Sequence, residues 1–185
     1  MDNTAEFCRI IRQRSKENKQ GLMLLSSARL TGQVISVLRQ ELDSMVRVIF
    51  LLSQSLEERN HLIQQTLNGQ KWKLRSNAQV TDKQMVELAD RLNGWTQSVY
   101  KFGCAFIHLS SYHDYAFRDP FLNLDRDEIN SIKTHLNNYH GFPMTNDLSM
   151  ESVSPFLPMV FDKISGNLEY YVAEYLEKKR IDIDL

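Results

Sequence analysis

Apolar side chains recur along most of this chain at spacings of three and four, the period of an α-helix with one face turned to a core. Near the N-terminus Phe7, Ile10 and Ile11 fall on one side of a helix expected over 4–19, so that 1–20 reads as a peripheral amphipathic helix. From about 22 to 54 the positions Leu30, Val34, Leu38, Leu42, Met45 and Ile49 hold the period for many turns and predict the central helix. Gly32 is its weak point, and a break or bend is expected between 26 and 32.

Local start and stop signals divide the rest. Ser55 with Glu58, and Thr81 with Gln84, have capping-box spacing; the first helix then ends near Asn68 and Gly69, the second near Asn93 and Gly94. Residues 70–80, with Trp72, read as a polar linker. Trp95, Val99, Phe102, Phe106 and Leu109 predict a further helix continuing to about Tyr112. A loop over 118–124 precedes a helix over 126–139, capped by Asp125 with Glu128 and stopped by Gly141. A second loop, 142–154, gives way at Pro155 to a last helix reaching about Arg180, whose basic residues at 178–180 suit a helix end.

With seven Gly and four Pro in 185 residues, strands have little foothold. The expectation is all-α: one helical bundle of six or seven helices, core helices over 22–112 and C-terminal helices over 126–180. A hydrophobic content of 42% over this length suits one core and hence one domain, 1–185.

Charge narrows the partners. Lys and Arg number 22 against 23 Asp and Glu, so no global field draws in nucleic acid or an anionic membrane, and RNA would have to meet a local patch. The most apolar window, 46–52, is interrupted by Arg47 and falls far short of the roughly 20 residues a bilayer span needs. The N-terminus lacks a basic stretch followed by an apolar one, and Cys104 lies in an apolar run. The expected setting is therefore cytoplasmic, with reduced cysteines and no membrane.

No Gly-rich phosphate loop, GxSxG elbow or CxxC pair is present, so no cofactor is expected. His108 and His113 are five apart, as are His135 and His140; such rings diverge by about 500° around a helix, whereas helical metal pairs use three or four. Glu58 and His61 have the Glu-x-x-His spacing of carboxylate-bridged metal bundles, but no second copy exists. No metal site is expected, and a metal-dependent bundle enzyme is the least favoured reading. Cys104 reads as a small core residue. Arg39, Asp43 and Arg47, at spacing four, form either a solvated ion ladder or, with Glu41, the lining of a pocket or subunit interface.

His108 is the most informative position. It stands in YKFGCAFIHLSSYHDY, with Lys101 seven residues upstream on the same helical face. An imidazole can act as acid or base, and a lysine can stabilise a phosphate oxyanion. Together they would cleave RNA, the 2′-hydroxyl serving as nucleophile, with no metal. The competing reading is a histidine packed inside the bundle; Lys133 and His140 share the same offset by chance.

The stretches LRQELDSMVRVIFLL and KFGCAFIHLSSYH resemble the HEPN family of small helical-bundle proteins. The resemblance implies a long acid-bearing helix packed against a helix carrying a signature histidine. It also implies a homodimer and, in active members, a metal-independent ribonuclease of bacterial toxin, antiphage defence or RNA-processing type, its site formed across the two-fold axis. The family motif is Arg, four to six residues, then His; here Lys101 takes the arginine's place, with six residues between it and His108, and Phe102 fills a usually polar position. Lysine lacks the bidentate fork of arginine. On this reading His108 is the acid or base and Lys101 the phosphate contact, with His113, Asp114, Glu41 and Arg47 in support. The alternative is a non-catalytic module that docks a protein partner or second copy through Leu168, Tyr171, Val172, Tyr175 and Leu176 of the last helix.

Overall fold

The computed structural model describes residues 2–179. Asp2 accepts a hydrogen bond from the Thr4 amide and starts α1 (Asn3–Ser27). This helix runs past 19, because Gln20 and Gly21 supply no stop, and it takes in Leu22, which the sequence pattern assigns to the central helix. The expected break comes at 28–30, where Arg29 is left-handed (φ 57°) and the Leu30 amide reaches back to the Leu25 carbonyl at 2.9 Å. The central helix, α2, is thus Thr31–Leu52.

The expectation of a peripheral first helix is also corrected. Phe7, Cys8, Ile11 and Leu22 of α1 are buried against the core, with the polar Thr4 and Asn18 buried beside them. α3 (Leu56–Leu67) follows; Ser55 accepts from the Glu58 amide, but the Glu58 carboxylate turns away to accept from the Arg75 amide at 2.9 Å. Arg59 is buried and donates to the carbonyls of Leu51 and Leu52 at 3.0 and 3.2 Å, satisfying the otherwise orphaned end of α2. The segment 70–80 is the polar linker expected, mostly exposed but anchored: Trp72 is buried, its indole N–H donates to the Thr66 hydroxyl at 2.7 Å, and an isolated bridge pairs Lys73 with Gln79.

α4 (Asp82–Asn93) opens with the full Thr81–Gln84 capping box and stops at Gly94, φ 70°. α5 (Thr96–Ile107) ends earlier than the apolar stripe predicts. At His108 the backbone is extended (φ −97°, ψ 145°), which takes Leu109 off the buried face and leaves it 96% exposed. Short 3-10 turns follow at Ser111–Asp114 and Pro120–Asn123. α6 (Arg126–His140) has the predicted Asp125 cap and Gly141 stop. After the single turn α7 (Met150–Val153), Pro155 lies in a 3-10 turn, Ser154–Phe156, rather than in the last helix. α8 (Leu157–Tyr171) continues as a π-turn, Val172–Leu176. Arg180 and the terminal IDIDL lie outside the described residues.

The result is all-α: seven helices of more than one turn in a single bundle, with no strand among the described residues. α1, α4, α5 and α8 pack around α2. The apolar stripe of the last helix faces inward, since Leu168, Val172 and Leu176 are buried in the chain's own core, and the docking surface expected there is absent. No helix of the described residues is long and apolar enough to cross a membrane.

Candidate functional site

The sequence-selected residues divide among three places. At the first, α5 ends with the His108 amide donating to the Cys104 carbonyl, and the His108 side chain is exposed. Within fifteen positions of it along the chain, apolar groups are left in solvent: Ile107, Leu109, Phe117 at 93% and Leu122. His113 and Asp114 share this end of the molecule, in the 3-10 turn that Ser110 caps. The His113 ring lies 5.8 Å from Phe106, and the Asp114 carbonyl accepts the amides of Phe117 and Arg118. Lys101 is not beside His108. Its ammonium is exposed and sits 3.7 Å from Glu128 of α6; seven residues of helix correspond to about 10 Å along the axis.

The second place is the interface of α1 and α2. Glu41 has no exposed surface and accepts from the Ser15 hydroxyl and, at 2.9 Å, from the Asn18 amide. It faces α1, away from the arginines of its own helix.

The third is an ion network on α2. Arg47 chelates Asp43 with 3.1 Å contacts, Arg14 approaches the same carboxylate at 3.2 Å, and Asp82 of α4 bridges Arg39 (3.3 Å) and Arg47 (3.4 Å). Burial pushes the Asp43 carboxyl up, but Arg47, Arg14 and Arg39 outweigh it and hold it below the usual range. Arg39 is 5% exposed, its guanidinium 4.2 Å from the centre of the Tyr100 ring, with Gly103 beneath. The spacing of 39, 43 and 47 is thus an embedded cluster, not a solvated ladder, and Arg47 lines a broad cleft of about 590 Å³ beside Trp72. Cys104 is half-buried against Arg39 instead of lying in the core, whereas burial pushes the Cys8 thiol up to about 12.

Protein-family models, curated proteins and solved structures offer no match to this chain.

A fourth arrangement escaped the sequence reading. Between α2, α5, α6 and α8 lies a cavity of about 100 Å³, walled by Trp95, Phe102, Phe121 and Tyr139. Ser98, His135, His140 and Lys163 are its polar lining residues besides Tyr139. The Lys163 ammonium sits 3.5 Å from the centre of the Tyr139 ring and 5.8 Å from that of Trp95. His135 stacks on Tyr139 at 6.4 Å, and its Nδ1 is buried without a hydrogen-bond partner. His140 is held below its ordinary value by burial and by the charge of Lys163, itself lowered by burial. The signal in the sequence is the 135, 139 spacing on α6 and a lysine at 163 next to Asp162 and among the apolar positions Val160, Phe161 and Ile164. Among the described residues no group of three or more His, Cys, Asp or Glu could hold a metal ion, and His61 is engaged with Gln65 at 3.0 Å.

Proposed function

We propose that the chain is a HEPN-like helical protein that pairs with a second copy of itself around the C-terminal end of α5 and cleaves RNA there without a metal or cofactor, as a toxin or defence-type factor. The observation that carries this reading is the exposure of His108, which leaves the imidazole free to act as acid or base. The packing of α2, with its acidic residues and apolar run, along the helix that ends in His108 is in keeping with the resemblance. Leu109 and Phe117, both more than nine-tenths exposed, form an apolar collar that a second copy would cover. Lys101 is too far along α5 to serve His108 of its own chain, so the phosphate contact comes from Lys101 of the second copy. His113 and Asp114 flank the site, while Glu41 and Arg47 support it indirectly by fastening α1 and α4 to α2. The unbonded Cys8 and Cys104 suit the reducing cytoplasm.

The test is single-stranded RNA incubated with purified protein in EDTA. Cleavage should occur and should fall by about 10²-fold or more in His108→Ala. Absence of cleavage, or indifference to His108→Ala, removes the enzymatic reading. The same collar favours a second reading, a non-catalytic module that only self-associates. For this, light scattering should give a dimer that Leu109→Ser with Phe117→Ser converts to monomer; a wild-type monomer eliminates it.

A further inference from the structure

The cavity between α2, α5, α6 and α8 combines hydrocarbon walls with one ammonium and one imidazole nitrogen that the fold leaves without conventional partners. Lys163 makes no salt bridge among the described residues; its ammonium is met by the faces of Tyr139 and Trp95 alone. A ring face offsets only part of the hydration such a cation gives up, so an anion entering the cavity gains a strong, charge-assisted partner. An apolar pocket with a few converging polar groups is the general form of a small-molecule site.

We propose that this cavity binds a small monocarboxylate with an aryl or short alkyl tail, the tail lying against Trp95 and Phe121 and the carboxylate accepting from Lys163. Size and charge select this class. An apolar cavity of roughly 150 Å³ holds benzene, so about 100 Å³ takes a short chain, or part of one ring through its open mouth, and nothing larger. Lys163 is the one Lys or Arg among the lining residues, so a phosphate dianion would lack its second cation. Lys101 and His108 are not among the lining residues, so the site stands independently of the ribonuclease reading.

Isothermal titration with benzoate and hexanoate, against benzyl alcohol, hexanol and phenyl phosphate, tests the assignment. Benzoate or hexanoate should bind with a dissociation constant of about 1 mM or tighter. Lys163→Met, which keeps the stem and removes the charge, should weaken carboxylate binding by about 10-fold or more and leave the alcohols unchanged. The proposal is overturned if neither carboxylate binds, if the alcohols or phenyl phosphate bind as tightly, or if Lys163→Met has no effect. Should Lys163→Met fail to fold by circular dichroism, nuclear Overhauser contacts from benzoate to the Trp95 ring in the wild-type protein decide the matter, and their absence overturns the proposal.

Discussion

Glu41 is a carboxylate with no exposed surface, held between a hydroxyl and an amide of α1. A carboxyl group in such a place is tolerated because donors are aimed at it, and the donors in turn depend on it: without Glu41, Asn18 has no acceptor in a buried position. Glu41→Ala should therefore cost about 1–3 kcal/mol in urea unfolding, with Glu41→Gln costing less because one acceptor oxygen remains. An unchanged midpoint in Glu41→Ala would refute this pinning role. The sequence marked Glu41 as a residue of interest from its position in an apolar run, yet it could not reveal the partners. Ser15 and Asn18 are more than twenty positions away and meet Glu41 only when α1 folds back on α2.

Between elements, the closest approach is that of α2 and α5 at Gly103. A Cβ built there would lie 2.8 Å from the Cβ of Arg39 and 3.2 Å from its Cγ and Cδ, atoms near the backbone that cannot simply swing aside. Gly103→Ala gains about 1 kcal/mol of helix propensity but forces the helices apart, at an overpacking cost of about 1–3 kcal/mol, and lifts Tyr100 from the guanidinium. Net destabilisation is expected. Gly166→Ala on α8, where no atom lies within 4 Å, should raise stability by up to about 1 kcal/mol. Thermal melts of the two variants should shift in opposite directions, and a stabilised Gly103→Ala would contradict the close packing. Helix ends written in local chemistry were legible in advance: the Thr81–Gln84 box, the Asp125 cap and the stops at Gly94 and Gly141 all stand where the sequence places them. The end of α5 was not, because the helical stripe carries on to Leu109 while the backbone turns extended at His108; the clue was Ser110, whose hydroxyl caps the next turn.

Over the whole molecule, two buried groups tie stability to pH in different ranges. For His140 the folded value lies below the unfolded one of about 6.5, so on acidification the unfolded chain takes up the proton first, and stability falls as pH drops below about 6.5. For Asp43 the folded value lies below an unfolded one of about 3.9; its contribution is complete above that value and is lost as pH falls further, through the folded value. The melting temperature should thus decline first as pH falls below about 6.5 and again below about 4. His140→Asn should flatten the first decline and keep the second, whereas Arg47→Met, which removes the tightest partner of Asp43, should reduce the second and keep the first. A wild-type melting temperature that is level from pH 7 to 5 would mean that Lys163 and the surrounding apolar walls do not press on His140 as described. The spacing of Arg39, Asp43 and Arg47 made half of this behaviour readable from the sequence, since it lies on one helix. The His140 half depends on Lys163 arriving from α8, a juxtaposition that periodicity along α6 alone does not contain.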